Sequence, residues 1–247
     1  MSDPDGCGPL TNHDNPTDFN GKAAEKPSLD ELIELLCAAF PPLNRTEQEL
    51  SLGIYRMLCQ GSPLTMQRLA ADMQTPVSTI IEMLNGWWGV DLDYQNRIIG
   101  YRGLTVRPTS HRLELNDGQL LYAWCAFDTL FIPGILRTRA RVESFCPSTG
   151  SLIRLIVDPE HLEHVQPKNT VVSFMTPQAA RAKENVRDHF CHHVHFFQSK
   201  DTGLAWTVRH PGTFLLTINQ AHRLGQKFNA VQYPDIGEHL KKAQPMA

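Results

Sequence analysis

The chain has 247 residues, 41% of them hydrophobic, and a formal net charge of −3. That supports one large domain or two small ones with real cores, and the charge balance calls for neither nucleic acid nor an anionic membrane as the main partner. The six cysteines, Cys7, Cys37, Cys59, Cys125, Cys146 and Cys191, are scattered without a CxxC pair, which argues against a disulfide-stapled miniprotein and for reduced thiols in a cytoplasmic protein.

Residues 1–27 lack the basic start and apolar core of a signal peptide. They are rich in Pro, Gly, Asn and Asp, so a disordered tail is expected. "SLDELIELLCAAF" opens with Ser28 and has Glu31 three residues on, a capping box ahead of helical spacing. "TEQELSLGIYRMLCQG" repeats the signal with Thr46 and Glu49 and stops at Gly61. "LTMQRLAADM" and "PVSTIIEMLNG" predict two short helices, and "WWGVDLDYQNRIIGYRGLTV" predicts short strands around an Asn-rich turn. Three helices and a β-wing make a winged-helix pattern over roughly residues 45–107. Its expected reading helix, Pro76 to Leu84, has no Arg or Lys and carries Glu82. DNA readout wants basic side chains there. A structural or lid role is therefore favoured, although Arg97, Arg102 and Arg107 lie in the wing.

Further on, "HRLEL" predicts a strand before the turn "NDG". The run Leu120 to Leu136 is apolar but for Asp128. A charged Asp at mid-membrane costs roughly 2.5–3.5 kcal/mol, so a core helix from Gln119 to about Ile132 is the better expectation. "RARVESF" and "SLIRLIVD" flank "CPSTG" as a hairpin, and "TVVSFM" reads as a strand. "PQAARAKENVRDHF" reads as a helix with Pro177 at its first position. "CHHVHFFQS" alternates like a strand, and "TINQAHRLGQKFNAV" predicts a final helix. With no GxGxxG and no P-loop, the fold class is α+β. A tail over 1–27 precedes a helical, winged-helix-like module over 28–107. A mixed domain of antiparallel strands packed with helices follows over 108–247.

Two stretches carry chemistry. "DHFCHHVHFF" sets His189, His192, His193 and His195 around Cys191. On a strand, Cys191, His193 and His195 would share a face with neighbours about 6–7 Å apart, an awkward spacing for one zinc ion. Local hydrogen-bonding roles suit these histidines better. In the apolar run, Cys125 and Asp128 stand three apart and would share one helical face. Burial there should raise the carboxyl pKa and make Asp128 a proton donor near neutrality. Alone, Cys125 would be an ordinary core residue. A thiol and an acid one turn apart are harder to dismiss.

"LYAWCAFDTLFIPGILRTRARVES", "FCPSTG", "VRDHFCHHVHFF" and "HRLGQKFN" together resemble the organomercurial (alkylmercury) lyases, over roughly Leu29 to Asn229. The resemblance implies a catalytic trio that maps onto Cys125, Asp128 and Cys191, with Cys146 matching a structural cysteine. Many relatives carry a second cysteine where this chain has His192. The implied activity is protonolysis of a carbon–mercury bond in mercury detoxification. Its substrate would be an organomercurial, and no organic cofactor would be needed. Mercury(II) would remain as product on Cys125, Cys191 and an oxygen of Asp128, to be removed by external thiols or by a mercuric reductase.

The residue types suit that chemistry. Mercury(II) is soft and prefers thiolates. Two thiolates push electron density toward the carbon, and a positioned acid then delivers a proton. Either cysteine could attack first. The competing classes are a winged-helix metal-responsive regulator sensing through the same cysteines, and a chaperone that only sequesters metal.

Overall fold

The computed structural model describes residues 26–178 and 185–234. Nearly all of the expected N-terminal tail, and the first turns of the helix expected from Pro177, lie outside the described residues. Helix α1 (Leu29–Ala39) has the expected reciprocal capping box between Ser28 and Glu31. Helix α2 (Arg45–Leu58) starts earlier than the Thr46–Glu49 pair predicts. Asn44 and Glu47 form the box instead. Two overlapping boxes compete here, and Asn is the stronger cap. Helices α3 (Met66–Asp72) and α4 (Val77–Asn85) follow as expected.

Eight strands then form one antiparallel sheet in the order β1-β2-β3-β5-β4-β6-β7-β8. They are β1 (Val90–Leu92), β2 (Ile98–Tyr101), β3 (Leu104–Thr105), β4 (His111–Leu115), β5 (Leu120–Ala123), β6 (Ala140–Phe145), β7 (Leu152–Val157) and β8 (Leu162–Gln166). Strands β4, β6 and β7 bury alternate residues. On the other face Glu143 pairs with Arg112 and Arg154 across strands, and Glu114 with Arg141. The strands expected as a wing are the first three of this sheet. Strand β3 bonds directly to β5, so pairing continues across residues 107 and 108. Strand β8 is not legible in the sequence. Most of its residues are half-buried or exposed at the sheet edge, so they alternate weakly.

A second sheet places β9 (Val171–Met175) between β10 (Phe196–Phe197) and β11 (Thr213–Thr217). Helices α5 (Asp128–Leu136), α6 (Lys200–Thr207) and α7 (Ile218–Gln232) complete the described elements, together with helical residues 185–189 and a 3₁₀ turn at Cys191–His193. Strand β11 and helix α6 were not anticipated.

Two expectations are corrected. The run from Gln119 to Ile132 is not one helix. It is strand β5, a sharp turn, and then α5. A run that is apolar on every side carries no period, so periodicity cannot separate a buried strand from a buried helix. Cys191 is likewise not on a strand. It sits in the 3₁₀ turn, and only Phe196–Phe197 pairs with β9. The face-sharing arguments for both stretches therefore fail, although their residues still meet.

No helix among the described residues is long and apolar enough to cross a membrane. Helix α5 is buried along most of its length and packs against α7. Gly225 permits this contact, since a Cβ there would lie 2.8 Å from Phe131 Cβ. We expect Gly225→Ala to destabilise the protein by about 1–3 kcal/mol, measured as a lower urea midpoint; an unchanged midpoint would show that the helices can separate freely.

Candidate active site

The corner between β5 and α5 sets the first two groups. Trp124 N–H donates to the Gly103 carbonyl at 2.8 Å, which ends the strand against the β2–β3 turn. The chain then turns so that Cys125 N–H donates to Asp128 Oδ2 at 2.8 Å. Thr129 Oγ1 donates to the Ala126 carbonyl at 2.7 Å and closes the corner. Asp128 is the first residue of α5, where the helix dipole favours a carboxylate. Its carboxyl lies against Gly103. A Cβ on Gly103 would come within 2.5 Å of the carboxyl carbon, and the residue has φ +98°. Only glycine meets both demands.

Cys191 arrives from the other sheet. Buried Ser173 on β9 donates through Oγ to the His193 carbonyl at 2.8 Å and accepts from His195 N–H at 2.9 Å. This fixes the 3₁₀ turn. Ala126 N–H donates to the Val194 carbonyl at 3.2 Å, a direct backbone bond between the two cysteine segments. As a result one sulfur each from Cys125 and Cys191 and one oxygen of Asp128 all lie within 4.8 Å of one another, and all three residues are buried. No other set of three His, Cys, Asp or Glu side chains meets that criterion among the described residues.

Burial pushes the Asp128 carboxyl up to about 7, against hydrogen bonds from the Cys125 thiol and amide and the positive field of Arg187. The Cys125 thiol is pushed well above its usual value by burial, by its hydrogen bond to Cys191 and by the charge of Asp128. Cys191 receives that hydrogen bond, which lowers it. Burial and Asp128 outweigh it, so the net direction is still upward. Cys191 also feels Arg187, so of the two thiols it ionises more readily.

The histidines of "DHFCHHVHFF" do not converge into a metal-binding set among the described residues. His192 approaches Asp188 at 3.3 Å, and His195 Nε2 donates to the His192 carbonyl at 2.8 Å while packing edge-on against Trp206. Cys146 is buried in the β6–β7 turn, outside the trio. Burial pushes its thiol up, but hydrogen bonds from Thr149, Gln198 and Ser148 pull it below its usual value.

Beside the trio lies a small cavity of about 30 Å³, walled by rings that include Phe40, Trp88, Phe127 and Phe190, and reached by Arg102 and Trp124. Sequence reading missed Gly103, Ser173, Trp124 and Arg187 as supports of the site. It placed Arg102 in the wing and did not show its burial; Arg102 is 6% exposed. The one signal was the aromatic density around it, Trp87, Trp88 and Tyr101.

Two buried thiols and a proton-holding carboxyl on an α+β frame define a centre for a soft metal and acid chemistry. The profile of the MerB alkylmercury lyases matches residues 104–229. An alkylmercury lyase of Staphylococcus epidermidis is 38% identical over 184 residues, covering 74% of this chain and 82% of the relative. One of Bacillus cereus is 38% identical over 70% of this chain and 77% of its own length. One of Pseudomonas putida is 39% identical over 71% and 81%. The crystal structure of the mercury-bound form of MerB2 shares the fold, with TM-score 0.66 and 24% identity over 81% of this chain and 98% of that one. The chain belongs to the alkylmercury lyase family.

The raised Asp128 carboxyl has a stability signature. The folded state holds this proton to higher pH than the unfolded chain does, so ionising it costs stability as pH rises from about 4 through 7. Asp128→Asn removes that cost. We expect its stability advantage over the unsubstituted protein to grow between about pH 5 and 7 and level off above, measured by urea unfolding. An advantage independent of pH would contradict a proton held at Asp128.

Proposed function

We infer from the centre and the family together that this enzyme is an organomercurial lyase. It cleaves the carbon–mercury bond of alkyl- and arylmercury compounds, releasing a hydrocarbon and mercury(II). The observation that carries the mechanism is the convergence of Cys125, Asp128 and Cys191, all buried, within 4.8 Å.

Cys191 supplies the first thiolate, since it accepts the Cys125 hydrogen bond and feels Arg187. Its sulfur bonds to mercury and the counter-ligand leaves with its electron pair. Cys125 then binds mercury as its proton passes to Asp128, with which it already shares a hydrogen bond. Two sulfurs raise electron density on the metal and make the carbon basic. With its pKa raised to about 7, the Asp128 carboxylate can take that proton and, once neutral, delivers it to the carbon as the carbon–mercury bond breaks. The carbon receives the proton that Cys125 gave up, and the proton of Cys191 has gone to solvent with the counter-ligand. Mercury(II) remains on the two sulfurs with an oxygen of Asp128 nearby. The sulfurs supply the soft ligands and the thiols supply the protons, so the scheme calls on no organic cofactor.

Small thiols, or a mercuric reductase, would collect the metal in a cytoplasmic detoxification route. Residues 28–107 are proposed as a winged-helix-like module that works as a cover rather than as a DNA reader, with residues 108–247 as the catalytic domain. Phe40 and Trp88 from the first part wall the cavity beside residues of the second, and α4 has no basic residue with which to hold phosphates. No nucleic-acid or membrane partner is proposed.

Headspace detection of methane from methylmercury tests the scheme. Cys125→Ser and Cys191→Ser should each abolish release, with Cys125→Ser still capturing methylmercury on one sulfur by mass spectrometry. Asp128→Ala should retain mercury but slow hydrocarbon release by about a hundredfold or more. Full turnover by Cys191→Ser would overturn the mechanism.

A further inference from the structure

Arg102 is a cation in the wrong surroundings for a structural residue. It is 94% buried by its 6% exposure, and among the described residues no carboxylate forms an ion pair with it. Its guanidinium carbon lies 4.4 Å from the Trp88 ring centroid, 5.2 Å from Trp87 and 5.5 Å from Tyr101. Its hydrogen-bond partners are neutral: Gln232 Oε1 at 3.4 Å and the Tyr233 hydroxyl. Its Nε–H has no partner. A buried charge without a counter-charge is costly, and proteins rarely keep one without use.

A second donor is in the same position. Trp124 is 8% exposed, and its indole Nε1–H has no partner. Arg102 and Trp124 line the cavity that Asp128 and Cys191 also line. Two donors without partners, one of them on a cation, therefore belong to residues that wall this cavity beside the atoms proposed to hold mercury. The complementary ligand is an acceptor with negative charge. At about 30 Å³ the cavity takes one small atom, so a larger group requires its walls to shift.

We propose that Arg102 and Trp124 form an anion subsite of the reaction pocket, which receives the negatively charged part of an organomercurial. This rests on the lyase reading above. The charge has two sources. It is either a carboxylate on the organic group, as in a mercuribenzoate, or the small counter-anion that leaves mercury when the first thiolate bonds to it. In the second case the mercury–halide bond breaks, the sulfur–mercury bond forms, and the halide departs with its electron pair. No redox partner is needed.

The test compares 4-(chloromercuri)benzoate with phenylmercuric chloride, each in thiol-free chloride buffer and in excess cysteine. Single-turnover hydrocarbon release with enzyme in excess, which needs no thiol to unload mercury(II), gives a maximal rate and a half-saturating concentration (KM) for the unsubstituted enzyme, Arg102→Gln, Arg102→Lys and Trp124→Phe. Loss of a charge-assisted hydrogen bond is worth about tenfold or more. If the subsite reads a ring carboxylate, Arg102→Gln and Trp124→Phe raise the KM ratio of mercuribenzoate to phenylmercury about tenfold in both buffers, and Arg102→Lys restores part of it. If it receives the counter-anion, both substrates weaken equally in chloride, and neither weakens in excess cysteine, where mercury arrives as a thiolate complex. Equal effects on both substrates in both buffers, or no effect, overturn the proposal, because a merely structural role moves every arm together. Trp124→Phe keeps most of the ring area and removes the donor, so it decides the matter if Arg102→Gln does not fold. Absence of benzene from phenylmercury with the unsubstituted enzyme would instead defeat the lyase reading.

Discussion

The backbone N–H of Cys125 donates to the carboxyl of Asp128 across the corner where strand β5 becomes helix α5, and the other parts of the centre are arranged around that contact. The bond holds an acid beside a thiol with no ring or long side chain between them. Gly103 supplies the floor, and the end of β5 is tied to the same turn. The corner buries the carboxyl while leaving it few donors. Desolvation therefore wins, and the group keeps its proton near neutrality. Full satisfaction by several N–H groups would have pulled the carboxyl down into the ordinary acidic range. The acid is held firmly but solvated poorly, as a proton donor to carbon would need to be.

The second sulfur comes from a different sheet. Ser173 is the hinge of that arrangement. It spends a fully buried hydroxyl on both sides of the 3₁₀ turn, accepting from one backbone amide and donating to one carbonyl. Polar satisfaction of this kind is what makes a buried loop tolerable. The thiols thus belong to separate layers, and their approach depends on the whole domain being folded.

Much of this was legible in the sequence, but not through local geometry. The family resemblance pointed to Cys125, Asp128 and Cys191, and the structure brings these three together. The cap of α1, the final helix and the strands β4, β6 and β7 were equally plain. The corner at Trp124–Cys125 was hidden inside a uniformly apolar run, where a strand and a helix look the same. Cys191 sat in a stretch whose alternation was accidental. The burial of Arg102 was not legible, because an arginine beside a glycine turn normally faces water. Trp87, Trp88 and Tyr101 stand near it in the sequence, but only the fold shows that they enclose it.

The backbone bond from Ala126 to Val194 has a kinetic meaning. It ties the two cysteine segments together before any metal arrives, so the loss of freedom that chelation usually demands has been met during folding. Once one sulfur has bound, the other acts at an effective concentration far above that of any free thiol in solution. Capture is therefore close to intramolecular from the second bond onward. The same closeness works against departure. An external thiol that displaces one sulfur leaves the metal beside the other, and the displaced arm can return before a second competitor reaches it. Unloading in the proposed reaction would then favour ligands that come in pairs, or single thiols in large excess.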